Sequence, residues 1–217
     1  MSRDRGLIAI DAIIFDYGEV IALSDTEDWA RMVQTANVAG PVFEEAYWRY
    51  RLDYDAGMSV EEYWTKVAHD TGAEFTAEQI ADLNRADARH WTHLDPAMLA
   101  WIEELRRAGK RIGMLSNMPT GIAPVIRDLS FTASFDALIF SCDLGVVKPH
   151  PDVYLAALRA LDAKPQRTLF LDDKLANVQG AQALGIHGIT FDSLAGSAPK
   201  LADYDLPQPE EVSSEMS

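Results

Sequence analysis

The chain has 217 residues, 48% of them hydrophobic and 24% charged, and its 19 Lys and Arg against 34 Asp and Glu leave a net charge of -15. This is the makeup of a folded globular protein; it excludes a disordered chain, a collagen-like repeat and a coiled-coil rod, and so acidic a surface repels phosphate backbones and anionic lipid. Its single cysteine, Cys142, cannot form an internal disulfide, the start MSRDRGLIAI is too polar for a secretory signal, and no apolar run approaches the roughly 20 residues that span a bilayer, so the expectation is a cytoplasmic protein without nucleic-acid or membrane partners.

In chain order, AIDAIIF from Ala9 to Phe15 is a short Ile-rich run that ends at Asp16-Tyr17-Gly18-Glu19. It predicts a strand buried on both faces that runs into a polar loop. Residues 24–91 then carry helical periodicity only. One stripe is Trp29, Met32, Val33 and Ala36, closed by Gly40-Pro41; a second is Phe43, Ala46, Tyr47 and Tyr50. A third helix is capped by Ser59 and stopped at Thr71-Gly72, and a fourth opens on the capping box Thr76-Ala77-Glu78-Gln79. The stretch therefore predicts a four-helix insertion.

Beyond it helix and strand alternate. A helix from Asp95-Pro96 precedes a strand at Arg111 to Leu115; strands at Ala137–Ser141, Thr168–Leu171 and His187–Phe191 are separated by helices at Pro151–Leu161 and Leu175–Leu184. Alternation of this kind implies a parallel sheet covered by helices on both faces, an α/β core made of residues 1–23 and 92–196. From Ser197 the chain turns to Pro, Ser, Asp and Glu, so residues 197–217 are expected to form a loosely ordered acidic tail.

Ligands of such sheets bind at the carboxyl ends of the strands. Asp16, Ser116-Asn117, Lys148-Pro149 and Asp172-Asp173 follow the strands in turn. Each has an ordinary reading: a turn residue for Asp16, a cap for Ser116, a solvated chain for Lys148, an N-cap and first-turn acid for Asp172 and Asp173. All four falling on one sheet edge in loop order outweighs those readings, and the set can hold a divalent cation and a phosphoryl group.

The motifs IIFDYGEVI, GMLSN, GVVKPHPDVY and LFLDDKLANVQGAQALG, spread from Ala9 to Phe191, resemble those of the haloacid dehalogenase superfamily, specifically its phosphatases with a helical cap inserted after the first strand. Within it the chain is similar to glucose-1-phosphate phosphatases and to the phosphatase domain of soluble epoxide hydrolase. The resemblance implies a Rossmann-like core, a mobile cap and Mg²⁺ as cofactor. It implies Asp16 as the nucleophile that takes the phosphoryl group, with Mg²⁺ held by Asp16, the carbonyl of Gly18 and Asp173. Asn177 would orient these carboxylates or a metal-bound water, Ser116 and the Asn117 amide would bind phosphate oxygens, and Lys148 would neutralise the crowded charge.

One position departs from the family. A second aspartate usually stands two residues after the nucleophile as general acid and base, typically worth about 100- to 10,000-fold; here the residue is Gly18. Glu19 could swing in, the cap could supply an acid, or the leaving group could need little protonation, as the anomeric oxygen of a sugar 1-phosphate does. The reading is thus a Mg²⁺-dependent phosphatase of a small phosphorylated metabolite, a sugar phosphate or another activated ester, working as a monomer or homodimer. Two alternatives stand beside it: a metal-independent 2-haloacid dehalogenase, which the apposition of Asp173 to Asp16 disfavours, and a catalytically weakened binding or regulatory protein. Substrate choice is expected in the cap stretch Arg49 to Gly57, read as a loop between two helices, although Arg49 or Arg51 could serve only to pair nearby acids. His69, His90, His93, His150 and His187 show no ligand spacing and receive no role.

Overall fold

The computed structural model describes residues 6–209. Strand β1 (Ala12–Phe15) leads to the two-residue strand β2 (Ala22–Leu23), and five helices follow: α1 (Thr26–Ala36), α2 (Gly40–Arg49), α3 (Arg51–Asp55), α4 (Val60–Thr71) and α5 (Ala77–His90). The chain returns through β3 (His93–Leu94) to α6 (Pro96–Arg107), β4 (Arg111–Ser116), α7 (Ala123–Arg127), β5 (Ala137–Phe140) and α8 (Ser141–Leu144). It closes with α9 (Pro151–Ala160), β6 (Thr168–Asp172), α10 (Leu175–Gln182), β7 (His187–Thr190) and α11 (Leu194–Leu201). Among the described residues no helix is long and apolar enough to cross a membrane.

The core is a parallel sheet of five strands in the order β5-β4-β1-β6-β7. Successive residues of a strand point to opposite faces, so the apolar runs read from the sequence feed two separate layers. Ile13, Phe15, Ile112, Met114, Leu169 and Leu171 pack against α6, α7 and α11, where the Trp101 ring meets Phe15 edge-on at 5.7 Å. Ala12, Ile14, Leu115 and Phe170 face α9 and α10 on the other side. The central strand β1 is fully buried, as its sequence implied.

Between β2 and β3 the helices have their own core of Met32, Phe43, Tyr47, Tyr54, Tyr63, Trp64 and Leu83. The helical stripes and the Ser59 and Thr76 caps lie where the sequence places them. Three details differ. Helix α1 ends at Asn37 in a left-handed conformation, φ 53°, while Gly40-Pro41 opens the next helix. Residues 51–55, read as loop, form the extra helix α3, so the insertion has five helices instead of four. The chain's two crossings between core and helices are strapped together as an antiparallel ribbon, Ala22 opposite Leu94 and Leu23 opposite His93. Two-residue strands carry too little periodicity to be read from sequence.

The core docks onto these helices through polar contacts at one loop. Thr120 donates to the Met58 carbonyl (2.8 Å), Asn84 donates to the Gly121 carbonyl (3.2 Å), and Tyr54 donates to Asn84 (3.0 Å). A Cβ on Gly121 would lie 2.0 Å from Asn84 Oδ1 and 2.2 Å from Tyr54 Oη, so only glycine permits this approach.

The tail requires a correction. Its composition is polar, yet Leu201 and Leu206 are buried, Ile8 pairs with Tyr204 as a β-bridge, and Trp101 donates to the Pro207 carbonyl at 2.9 Å. A few apolar residues at helical spacing suffice to anchor a segment whose average composition looks disordered; residues 210–217 lie outside the described residues. Leu201→Ala should therefore cost about 2–5 kcal/mol in urea denaturation, the ordinary penalty for a buried leucine. A loosely attached tail would register less than about 0.5 kcal/mol.

Candidate active site

Asp16 follows β1, Ser116 ends β4 and Asp172 ends β6, and because these three strands are neighbours their carboxyl ends converge. Lys148 reaches them from the segment between α8 and α9. Its ammonium is buried and donates to Asp172 Oδ2 at 2.6 Å and to the Leu115 carbonyl at 3.0 Å, and it lies 2.7 Å from Asp16 Oδ1. Carboxylate oxygens of Asp16, Asp172 and Asp173 can all lie within 4.8 Å of one another. The converging loops and the cap helices enclose a cavity of about 190 Å³, walled by Gly18, Ser116, Asn117, Lys148, Asp173 and Asn177 on the core side and by Trp48, Arg51, Leu52 and Asp55 on the cap side.

The turn after β1 shapes the floor. The Tyr17 carbonyl accepts from Ile21 and Ala22 at 2.8 and 2.9 Å, and the Tyr17 amide donates to Asp16 Oδ1 at 2.7 Å. Glu19 sits at φ 58° and its carboxylate accepts from the Ser24 amide at 3.3 Å, turned to the ribbon, although it also lines the cavity. Asn117 does more than offer its amide: its side chain accepts from Lys148 N at 2.8 Å and donates to Lys148 O at 3.4 Å, which fixes the lysine's backbone. Asn177 donates to both oxygens of Asp172, at 2.9 and 3.1 Å.

Asp172 is the residue whose part the sequence reading understates. It is no helix cap: it ends the strand, fully buried, and Lys148, Asn177 and the Lys174 amide (2.8 Å) all donate to it. Asp173, the expected metal ligand, is half-buried, and its Oδ1 has no hydrogen-bond partner. The tandem Asp-Asp at a strand end was the available signal, since the strand's alternation turns the first inward toward the buried lysine.

Charge follows from this geometry. Burial works against the Lys148 ammonium, but Asp16 and Asp172 outweigh it and hold its pKa above the ordinary lysine value. Burial likewise opposes ionisation of Asp172, yet its donors keep it below the usual carboxylate range. Asp16 has fewer donors. Burial, reinforced by the Asp172 charge and opposed by Lys148 and the Tyr17 amide, pushes it up to about 7. Burial also raises Asp173. Three carboxylates facing one ammonium leave the site short of positive charge, and the donors are all hard oxygens, one of them unpartnered. The site fits a hard divalent cation such as Mg²⁺.

On the cap side, the stretch expected to meet the substrate divides. Arg49 points away and pairs with Glu45 and Asp70 at 2.6 and 2.7 Å. Arg51 is buried, bonded to Asp55 at 3.1 Å and to Tyr47, with Asp87 at 3.4 Å. Burial, opposed by Arg51, raises Asp55 to about 6. His93 joins Asp25 and Asp28 in a cluster with ligand spacing that the sequence hid, since His93 lies 65 residues beyond Asp28, but Arg31 and Arg89 already neutralise Asp28 there.

A second wall feature was also missed. A Cβ on Gly18 would meet Trp91 Cζ3 at 3.1 Å, and Trp91 is fixed by Tyr17, whose hydroxyl donates to its carbonyl. A side chain at position 18 would therefore bear on the indole, which would have to shift by a few tenths of an ångström to admit it.

A family model for haloacid dehalogenase-like hydrolases matches residues 10–185. The sesquiterpene phosphatase astK of Aspergillus oryzae is 34% identical over 103 residues, 46% of this chain and 53% of that protein. The phosphoglycolate phosphatase of Escherichia coli K12 is 30% identical over 122 residues, 55% of this chain and 48% of that one. The match thus spans about half the length of these curated relatives. A predicted HAD-like family hydrolase from Porphyromonas gingivalis has a similar structure, with a TM-score of 0.69 and 27% identity over 89% of this chain and 96% of that one.

The raised Asp16 has a measurable consequence for the metal-free protein. A carboxyl with a pKa of about 7 folded and 3.8 unfolded binds more protons in the folded state between those values, so its contribution makes stability fall as pH rises from about 4 to about 7. Asp16→Asn should flatten that slope in urea denaturation in EDTA across this range. An unchanged slope would mean that Asp16 is ionised throughout.

Proposed function

The chain belongs to the haloacid dehalogenase-like hydrolase family, and within it we propose a Mg²⁺-dependent phosphatase of small phosphorylated metabolites that acts through an aspartyl-phosphate on Asp16. The observation that carries this reading is the cluster of Asp16, Asp172 and Asp173, the first two paired with a buried ammonium and the third with an unpartnered oxygen, open to a cavity that also presents Ser116 and Asn117. A halide-releasing enzyme has no use for the surplus carboxylate at Asp173, which would only repel a carboxylate substrate.

The cation would be held by Asp16, Asp173 and the carbonyl of Gly18, where it supplies Lewis-acid charge to a phosphoryl oxygen and keeps Asp16 ionised. Asp172 serves as the fixed partner of Lys148. The free oxygen of Asp16 attacks phosphorus, the bond to the leaving oxygen breaks, and that oxygen takes the electron pair. Lys148, Ser116 and the Asn117 amide face the phosphoryl oxygens and stabilise their charge. Water then attacks phosphorus, releasing phosphate and restoring Asp16. With Gly18 at the acid position, the substrate is an ester whose alcohol leaves without full protonation, such as a sugar 1-phosphate or another activated phosphate.

Phosphate release should require Mg²⁺, stop in EDTA and fall more than about a thousandfold in Asp16→Asn. Asp173→Ala should raise the Mg²⁺ concentration for half-maximal activity at least about tenfold. Chloride release from 2-chloropropionate without metal, in place of phosphate release, would overturn the reading.

Gly18 is not in the left-handed region, so its backbone accepts a side chain, but the Cβ of Gly18→Asp would press on the Trp91 ring. The variant alone should lose about 1–3 kcal/mol by overpacking and gain nothing on alkyl phosphates. Gly18→Asp with Trp91→Ala should gain on alkyl phosphates relative to Trp91→Ala alone, as judged by kcat/KM.

A further inference from the structure

Beside the 190 Å³ cavity lies a second, more open one of about 420 Å³, and the two share Glu19, Trp48, Trp91, Asp173 and Lys174 in their walls. It is therefore contiguous with the cavity at the strand ends and opens from it toward the cap helices. Three tryptophans, Trp29, Trp48 and Trp91, line it together with His90, whose ring packs edge-on against Trp91 at 4.9 Å. Trp48 is 50% exposed although it stands on a helix with a well-filled core beneath it, an uncovered indole beside the mouth of a catalytic cavity. The charged groups at this compartment are mostly of one sign: Glu19, Asp25, Glu44 and Asp173 against Lys174.

We propose that this compartment binds the leaving group of the substrate and that the leaving group is an uncharged aromatic ring, which makes the native substrate an aryl phosphate. The inference rests on the phosphatase reading and narrows it. Indole walls take up flat apolar rings by stacking and edge contacts, and about 150 Å³ suffices for a benzene ring in a protein cavity. The acidic rim repels leaving groups that carry a carboxylate or a second phosphate. The chemistry at Gly18 points the same way. A phenol ionises near pH 10, as tyrosine does, whereas water, the nearest reference for an alkyl alcohol, ionises near 15.7. An aryl oxide can therefore depart with the electron pair of the broken P–O bond and collect its proton from solvent, with no acid at position 18.

The test compares kcat/KM for 1-naphthyl phosphate, acetyl phosphate, glucose 1-phosphate and farnesyl phosphate in Mg²⁺. Acetyl phosphate is activated but carries no ring, so it reports the phosphoryl chemistry alone. The wild type should favour the naphthyl ester over the other three by at least tenfold. Trp48→Ala should lower the naphthyl-to-acetyl ratio at least tenfold, mainly through KM, and Trp48→Phe should keep most of it. Phosphorylated 4-hydroxybenzoate should be at least tenfold poorer than phenyl phosphate, and Glu44→Gln should narrow that gap. A naphthyl-to-acetyl ratio that does not move in Trp48→Ala overturns the proposal, as does a preference for the sugar or isoprenoid phosphate, while phosphatase activity itself stands. Absence of phosphate release from every ester, acetyl phosphate included, overturns the phosphatase reading and this one with it.

Discussion

A lysine ammonium without water is the constraint on which the site depends. Taking such an ion out of solvent costs several kcal/mol, and it stays charged only where anions and carbonyls replace its hydration. Lys148 finds them at the ends of three adjacent strands: Asp16 at 2.7 Å beyond β1, the Leu115 carbonyl at 3.0 Å in β4 and Asp172 at 2.6 Å at the end of β6. The requirement runs both ways, since removing the lysine would leave two buried carboxylates facing each other. The surrounding polar groups serve this arrangement, Asn117 by gripping the lysine's backbone and Asn177 by holding Asp172. The balance is incomplete, because one buried ammonium cannot neutralise Asp16, Asp172 and Asp173, and a divalent cation fits that deficit.

The cap is coupled to the same strand ends. Ser141, just after β5, accepts from the Met118 amide at 2.9 Å and donates to the Asp55 carbonyl at 2.5 Å, so one hydroxyl joins the loop after β4 to α3. Asp55 and Arg51 on that helix line the cavity, and Arg51 in turn reaches Asp87 on α5 inside the cap core. The ion cluster lies within the cap, and the Ser141 hydroxyl ties the helix that carries it to the core.

The alternation of Ile-rich strands with amphipathic helices was readable because strand and helix periods differ and each sheet layer draws on every second residue. That Asp16, Ser116 and Asp173 stand near one another was readable for the same reason, since each lies at the end of a strand and adjacent strands bring their ends together, whereas Lys148 reaches them from beyond the short helix α8. What stayed hidden depends on contacts between distant residues. Asp172 looks like a helix-capping acid until Lys148 is seen beside it. Trp48 and Trp91 stand in and at the end of the helical stretch 24–91, and nothing local in the sequence shows that they face a cavity. His93 reaches Asp25 and Asp28 only because β2 and β3 pair. Tail residues 197–209 were misread because average composition hides the buried Leu201 and Leu206.

Gly18 and Trp91 are best understood as a single feature. A Cβ at position 18 would press on the indole at 3.1 Å, so a side chain there requires the ring to give way by a few tenths of an ångström. Removing the acid lowers the power of the site over poor leaving groups, by an amount that general acid catalysis normally sets at about 100- to 10,000-fold. The tryptophan beside it adds an aromatic wall to the compartment proposed for the leaving group. The same exchange therefore narrows the reaction in two ways, by the stability the leaving group must have as an anion and by the shape it must present. Selectivity of this kind comes from what the site cannot do for other esters as much as from what it binds.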